Sequence, residues 1–188
     1  PFSPHYIADE ILSLGHHSKA PIWVFVDSDG GNISDGLLLY DAMKLSAAPV
    51  YTIARNCFSM GALIACAGAS GHRYIYPHSR IMIHQPWGQS QGSASMQEIR
   101  AMEIKRLKEM IIHMWRDCGV KRSVDEIKVD IETEHWMGAQ EAIDYGMADR
   151  IITSEELYGH VVVDAGDARV ASSIPILTPV PQSGVSLG

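Results

Sequence analysis

The sequence is sparing in cysteine. Its three cysteines, Cys57, Cys66 and Cys118, are odd in number and form no CxxC pair, which argues against both a disulfide framework and a zinc site. They suit a reducing compartment, and a cytoplasmic protein is expected. Basic runs are missing as well: 15 Lys and Arg face 22 Asp and Glu, a net charge of −7, so nothing attracts phosphate backbones or anionic lipid. Nucleic acid and membranes are therefore excluded as expected partners. No apolar stretch approaches the ~20 residues of a membrane span; Met60 to Gly68 is typical of the longest. The opening PFSPHYIADEIL has no basic start followed by an apolar stretch, so no secretory signal is read, and a start at Pro1 instead of Met suggests processing or truncation. There is no GxxxxGK(S/T) phosphate loop, no internal repeat, and no charged residue from Val170 to Gly188. That last stretch, with Pro175, Pro179 and Pro181, is expected to be a poorly ordered tail.

What is present is a chain of 188 residues, 46% hydrophobic, enough for one core and an appended tail. Short apolar runs alternate with helical patterns, the arrangement that gives βαβ crossovers and a largely parallel sheet. Trp23 to Val26 reads as a buried strand, Gly30-Gly31 as a tight turn and Ile33 to Met43 as a helix. The unit repeats with a strand at Val50 to Ala54 and a small-residue helix from Ser59 to Ala69. Strands follow at Tyr74 to Tyr76 and Arg80 to His84, split by Pro77. A long helix from about Ser95 to Cys118 carries Ile99, Met102, Leu107, Met110, Ile111 and Met114 on one side and charges on the other, so it is expected to protrude and pack on a neighbour. Gly119 ends it, and a shorter helix at Ala139 to Ile143, closed by Gly146, precedes a strand at Arg150 to Ile152.

Three local patterns bear on chemistry. Ser59 follows a strand and opens a helix, where free N–H groups and the positive dipole end favour developing negative charge. Taken alone, such a serine is more often a plain helix cap. Gly30-Gly31 lies at another strand-to-helix turn, whose bare backbone can aim an N–H at a reacting carbonyl oxygen beside the N–H of Met60. His84 ends an apolar strand and is followed by Gln85-Pro86; a lone strand histidine is more often structural.

In joint order and wording these segments resemble the Clp protease proteolytic subunit family over about Ala20 to Ile152. VDSDGG at Val26 to Gly31 is similar to the family's glycine turn, Ser59 to Ala62 to its nucleophile motif and Arg80 to Pro86 to its histidine motif. Trp136 to Ala142 followed by Tyr145 to Asp149 resembles its closing segment. The resemblance implies a ClpP-like, crotonase-like α/β domain of βαβ repeats with a protruding handle helix, spanning residues 1–155. A C-terminal extension would follow over 156–188. By the same resemblance Ser59 is the nucleophile, His84 the base and the backbone of Gly31 and Met60 the oxyanion hole. No cofactor or metal is implied. The implied partners are polypeptide substrates, copies of the chain in heptameric rings stacked in pairs through the handle, and a separate AAA+ unfoldase that supplies ATP-driven unfolding.

The chain departs from the family pattern at three positions. The family's triad Asp corresponds to Glu134, with Asp130 and Glu132 as nearby rivals; its neighbouring Arg corresponds to Thr133; and Asp29 replaces a Pro in the glycine turn. The strand and axial loops that precede the first helix in the family are not seen here. Two other readings stay open: a catalytically silent subunit of a mixed Clp ring, and a crotonase-type acyl-CoA hydratase or isomerase. A phage head-maturation protease of similar fold would share the chemistry.

Overall fold

A computed structural model describes residues 3–88 and 91–158. Residues up to Ile152 form one compact unit, and Thr153 opens a second whose described part is a short helix, Ser154–Tyr158. The tail expected from about residue 170 lies outside the described residues, as does most of the extension expected over 156–188.

The first unit alternates helix and strand as the apolar patterning predicts. Helix α1 (Pro4–His17) is capped by Ser3, whose Oγ accepts from Tyr6 N at 3.2 Å, with Pro4 in the first turn where its missing N–H costs nothing. Strand β1 (Ile22–Ser28) leads through the glycine turn to α2 (Ile33–Leu45), capped by Asn32. Then come β2 (Val50–Phe58), α3 (Met60–Cys66), β3 (Arg73–Ile75) and β4 (Arg80–Ile83). The long helix α4 (Ala94–Asp117) follows, then α5 (Val124–Asp130), β5 (His135–Gly138), α6 (Ala139–Tyr145) and β6 (Arg150–Ile151). Two elements have no counterpart in the sequence reading. Helix α5 rests on a capping box in which Ser123 Oγ accepts from Glu126 N at 3.2 Å and Glu126 accepts from Ser123 N at 2.8 Å. Strand β5 is only four residues long and contains no apolar run.

The sheet is organised on β2. Strand β1 runs parallel along one edge, while the other edge is shared: β3 pairs with Thr52 to Ala54 and β4 with Cys57 and Phe58. Between those halves β2 carries an extra residue relative to β1, since Val26 pairs with Ala54 but Ser28 with Cys57. Such a bulge bends and re-aims a strand end. Strand β5 runs antiparallel to β4, and β6 parallel to β3. All seven residues of α3 are buried, which explains its small side chains.

The helix α4 divides in two. Ile111, Ile112 and Trp115 in its last turns are buried in the unit's own core, whereas every position from Ala94 to Glu103 is exposed, including Met96, Ile99 and Met102. The protruding segment expected from its composition is thus the N-terminal part. The three cysteines are all free and buried. Among the described residues no helix is long and apolar enough to cross a membrane, and no cluster of His, Cys, Asp and Glu is placed to hold a metal ion.

Candidate active site

The site forms where β2 and β4 end side by side. Phe58 pairs with Met82 and Met82 with Trp136, so these three form one rung across β2, β4 and β5 and share a face of the sheet. Two residues beyond Met82, His84 returns to that face. Ser59, one residue beyond Phe58, would alternate to the opposite face if β2 continued straight. It does not continue: Ser59 turns at φ 55° and ψ −122° as α3 begins, the only non-glycine residue at positive φ among those described. With that turn, Ser59 Oγ lies 2.9 Å from His84 Nε2. Ser59 makes no side-chain cap bond to the helix it precedes, so its hydroxyl is not spent on capping. Backbone bonds fix the turn, with Ser59 N donating to Met82 O at 2.8 Å and Ala62 N to Ser59 O at 3.0 Å.

The glycine turn lies against this elbow. Gly30 sits at φ 97°, and a Cβ there would stand 2.7 Å from Ser59 Cβ and 2.8 Å from Phe58 O, so no larger residue fits. Gly30 N donates to Ser28 Oγ at 3.1 Å. The next two relevant N–H groups, those of Gly31 (φ 148°) and Met60, have no acceptor among the described residues. Beside them lies a cavity of about 490 Å³, lined among others by Ile7, Ile11, Leu39, Met43 and Ile64 and reaching Gly31 and Met60. Asp29, the possible anion in the turn, is exposed and does not line it.

Among the described residues no carboxylate bonds His84. The three sequence candidates are each engaged elsewhere. Asp130 Oδ2 accepts from the Tyr145 hydroxyl at 2.9 Å, and burial together with that bond pushes the Tyr145 phenol up. Glu132 Oε1 accepts from Lys108 Nζ at 2.6 Å, and the Lys108 ammonium holds its carboxyl below the usual range. Glu134 Oε2 accepts from the Trp136 indole Nε1 at 3.0 Å. Of the three, only Glu134 adjoins the end of the β4–β5 ladder: Ile83 pairs with His135, and His84 and Glu134 are the residues just beyond that last pair.

Sequence reasoning missed two residues that tie the site together. Lys108, on α4, also donates to Gln85 Oε1 at 3.0 Å, while Gln85 N donates to Ile131 O at 2.9 Å, so the residue after His84 is bound to both α4 and the segment leading to Glu134. Trp136 is the other; it lies on β5, an element the pattern did not reveal, two residues beyond Glu134.

Over most of its length the chain is similar to known proteins. The family model for Clp protease matches residues 3–155. The ATP-dependent Clp protease proteolytic subunit 3 of Parasynechococcus marenigrum (strain WH8102) is 42% identical over 149 residues, covering 78% of this chain and 74% of that protein. The proteolytic subunit 2 of Prochlorococcus marinus (strain MIT 9313) is 42% identical over 148 residues with the same coverage. That of Chlamydia pneumoniae is 37% identical over 155 residues, 82% of this chain and 76% of that protein. With a curled α/β sheet, an elbow serine and these relatives, the chain belongs to the Clp protease family.

Proposed function

We propose that the chain is a catalytically active serine endopeptidase subunit, with Ser59 as nucleophile and His84 as general base. The observation that carries this reading is the 2.9 Å contact between Ser59 Oγ and His84 Nε2, made by a serine held at φ 55° and excused from helix capping. As Ser59 Oγ bonds to the carbonyl carbon of the peptide, its proton passes to His84 Nε2. The tetrahedral oxyanion accepts hydrogen bonds from the N–H groups of Gly31 and Met60, each such donor worth about 10²–10³ in rate. His84 then gives its proton to the leaving amine, which departs and leaves an acyl-Ser59 ester. Water, deprotonated by His84, cleaves that ester and regenerates the hydroxyl. Glu134 is the third member, steadying the imidazolium when its carboxylate turns to His84.

The same reading extends to assembly and partners. Copies of the chain form heptameric rings stacked in pairs through α4, a separate AAA+ unfoldase supplies the ATP-driven step, and the complex degrades polypeptides in the cytoplasm. Its support is the exposed apolar side of α4 and the words "ATP-dependent" in the relatives' names. A second reading, the catalytically silent subunit of a mixed ring, draws on the engagement of Asp130, Glu132 and Glu134 with Tyr145, Lys108 and Trp136 instead of His84. Hydrolysis of short fluorogenic peptides separates the two. Active wild type with a dead but assembled Ser59→Ala variant supports the peptidase, whereas equal rates in both chains remove it.

A further inference from the structure

Resting on the reading of Glu134 as the third catalytic member, we infer that Trp136 is a positioning residue that holds the Glu134 carboxylate off His84 in the free subunit. Glu134 and His84 follow directly on the last pair of the β4–β5 ladder, Ile83 with His135, yet the Glu134 Oε2 takes the Trp136 N–H at 3.0 Å and makes no bond or ion pair with the imidazole. The indole is itself fixed from both catalytic strands. Phe58, the residue before Ser59, meets its ring edge-on at a centroid distance of 4.9 Å, and the Arg80 guanidinium, at the start of β4, the strand that ends just before His84, lies 5.9 Å over its face. The donor is therefore held by two ring contacts, while the carboxylate sits on the longer arm of a glutamate. A carboxylate has acceptor capacity for two partners, but one side-chain position must satisfy both, and here it satisfies the indole. The fraction of Glu134 that engages His84 is set by how strongly Trp136 competes.

The consequence is directional. Deleting the indole N–H while keeping its ring frees the Glu134 carboxylate to turn to His84, so catalysis improves. One exposed charge-assisted hydrogen bond corresponds to about three- to tenfold in the balance. A carboxylate that joins the imidazolium also raises the His84 pKa, moving the acid limb of the rate profile to higher pH.

The test uses the full chain with Trp136→Phe, Glu134→Gln and the double variant, together with 3-benzothienylalanine at position 136, which replaces the N–H by sulfur at unchanged ring shape. Expected are a kcat/KM raised about three- to tenfold and an acid limb shifted upward in both position-136 variants, with both effects lost in the double variant. An unchanged or lower kcat/KM without an upward shift of the acid limb overturns the inference. The His84 resonance in histidine-labelled protein, assigned by its loss in His84→Asn, gives a readout that needs no activity. A titration midpoint raised by removing the N–H only when Glu134 is present supports the clamp even if no peptide is cleaved, and an unmoved midpoint refutes it even if peptides are cleaved.

Discussion

A Cβ-bearing residue held at φ 55° and ψ −122° carries backbone strain on the order of 1–3 kcal/mol, and at Ser59 that strain coincides with the turn that brings Oγ to His84. The strain belongs to the backbone and not to the hydroxyl, which gives a prediction separable from catalysis. Ser59→Gly removes the Cβ penalty, partly offset by the greater freedom of glycine in the unfolded chain, and should melt about 3 °C above Ser59→Ala. Both variants should lack peptidase activity. A glycine variant that melts below the alanine variant would show that the elbow is not strained. This strain was not legible in the sequence: Ser-Met-Gly-Ala reads equally well as an ordinary cap. Gly30 was better marked, because a Gly-Gly pair between strand and helix announces a close approach, and the structure identifies it as the approach of Gly30 to Ser59 and Phe58. The third acid was legible only as a choice among three. Asp130, Glu132 and Glu134 differ in what surrounds them in space, and Tyr145, Lys108 and Trp136 come from other elements or from a strand that the pattern did not reveal.

Between elements, one buried cation does much of the joining. Arg73, 4% exposed, opens β3 and donates from Nη1 to Cys118 O at the end of α4 (2.6 Å) and to Gly146 O at the end of α6 (2.9 Å). It also pairs with Asp149 through Nε at 3.0 Å and Nη2 at 2.5 Å. Burial works to raise the Asp149 carboxyl, but the Arg73 bonds outweigh it and hold it below its ordinary value. Because the folded pKa is depressed, this contribution to stability is full above the unfolded value of about 3.9 and fades as pH falls through the folded one. Asp149→Asn should thus melt several degrees lower at pH 7, as expected when a buried ion pair loses one partner, and the gap to wild type should close on acidification toward pH 3. A gap independent of pH in thermal melts would contradict the linkage. The βαβ order was legible at this scale because strands and α2, α3 and α4 announce themselves by apolar period. The pairing of Arg73 with Asp149 was not, since 76 residues separate two charges that carry no pattern of their own.

At the scale of the molecule, α4 divides the expected apolar stripe into a buried and an exposed part. Ile111, which the sequence offers for contact with a neighbour as readily as Ile99 and Met102, is used inside the subunit together with Trp115, while Ile99 and Met102 stay 61% and 62% exposed. A row of large apolar side chains on a protruding helix is an association surface, and light scattering at micromolar concentration should give a large oligomer. Replacing Met96, Ile99 and Met102 with Gln should yield smaller particles without lowering the melting temperature of the subunit core. A wild-type chain that scatters as a monomer would remove the stacked rings from the proposal. The central claim, that Ser59 is a nucleophile activated by His84, is tested most directly by reacting the protein with a fluorophosphonate probe and mapping the adduct by mass. The account predicts a single modification on the peptide containing Ser59, absent in His84→Asn. Labelling elsewhere, or none in protein that is folded and assembled, would contradict it.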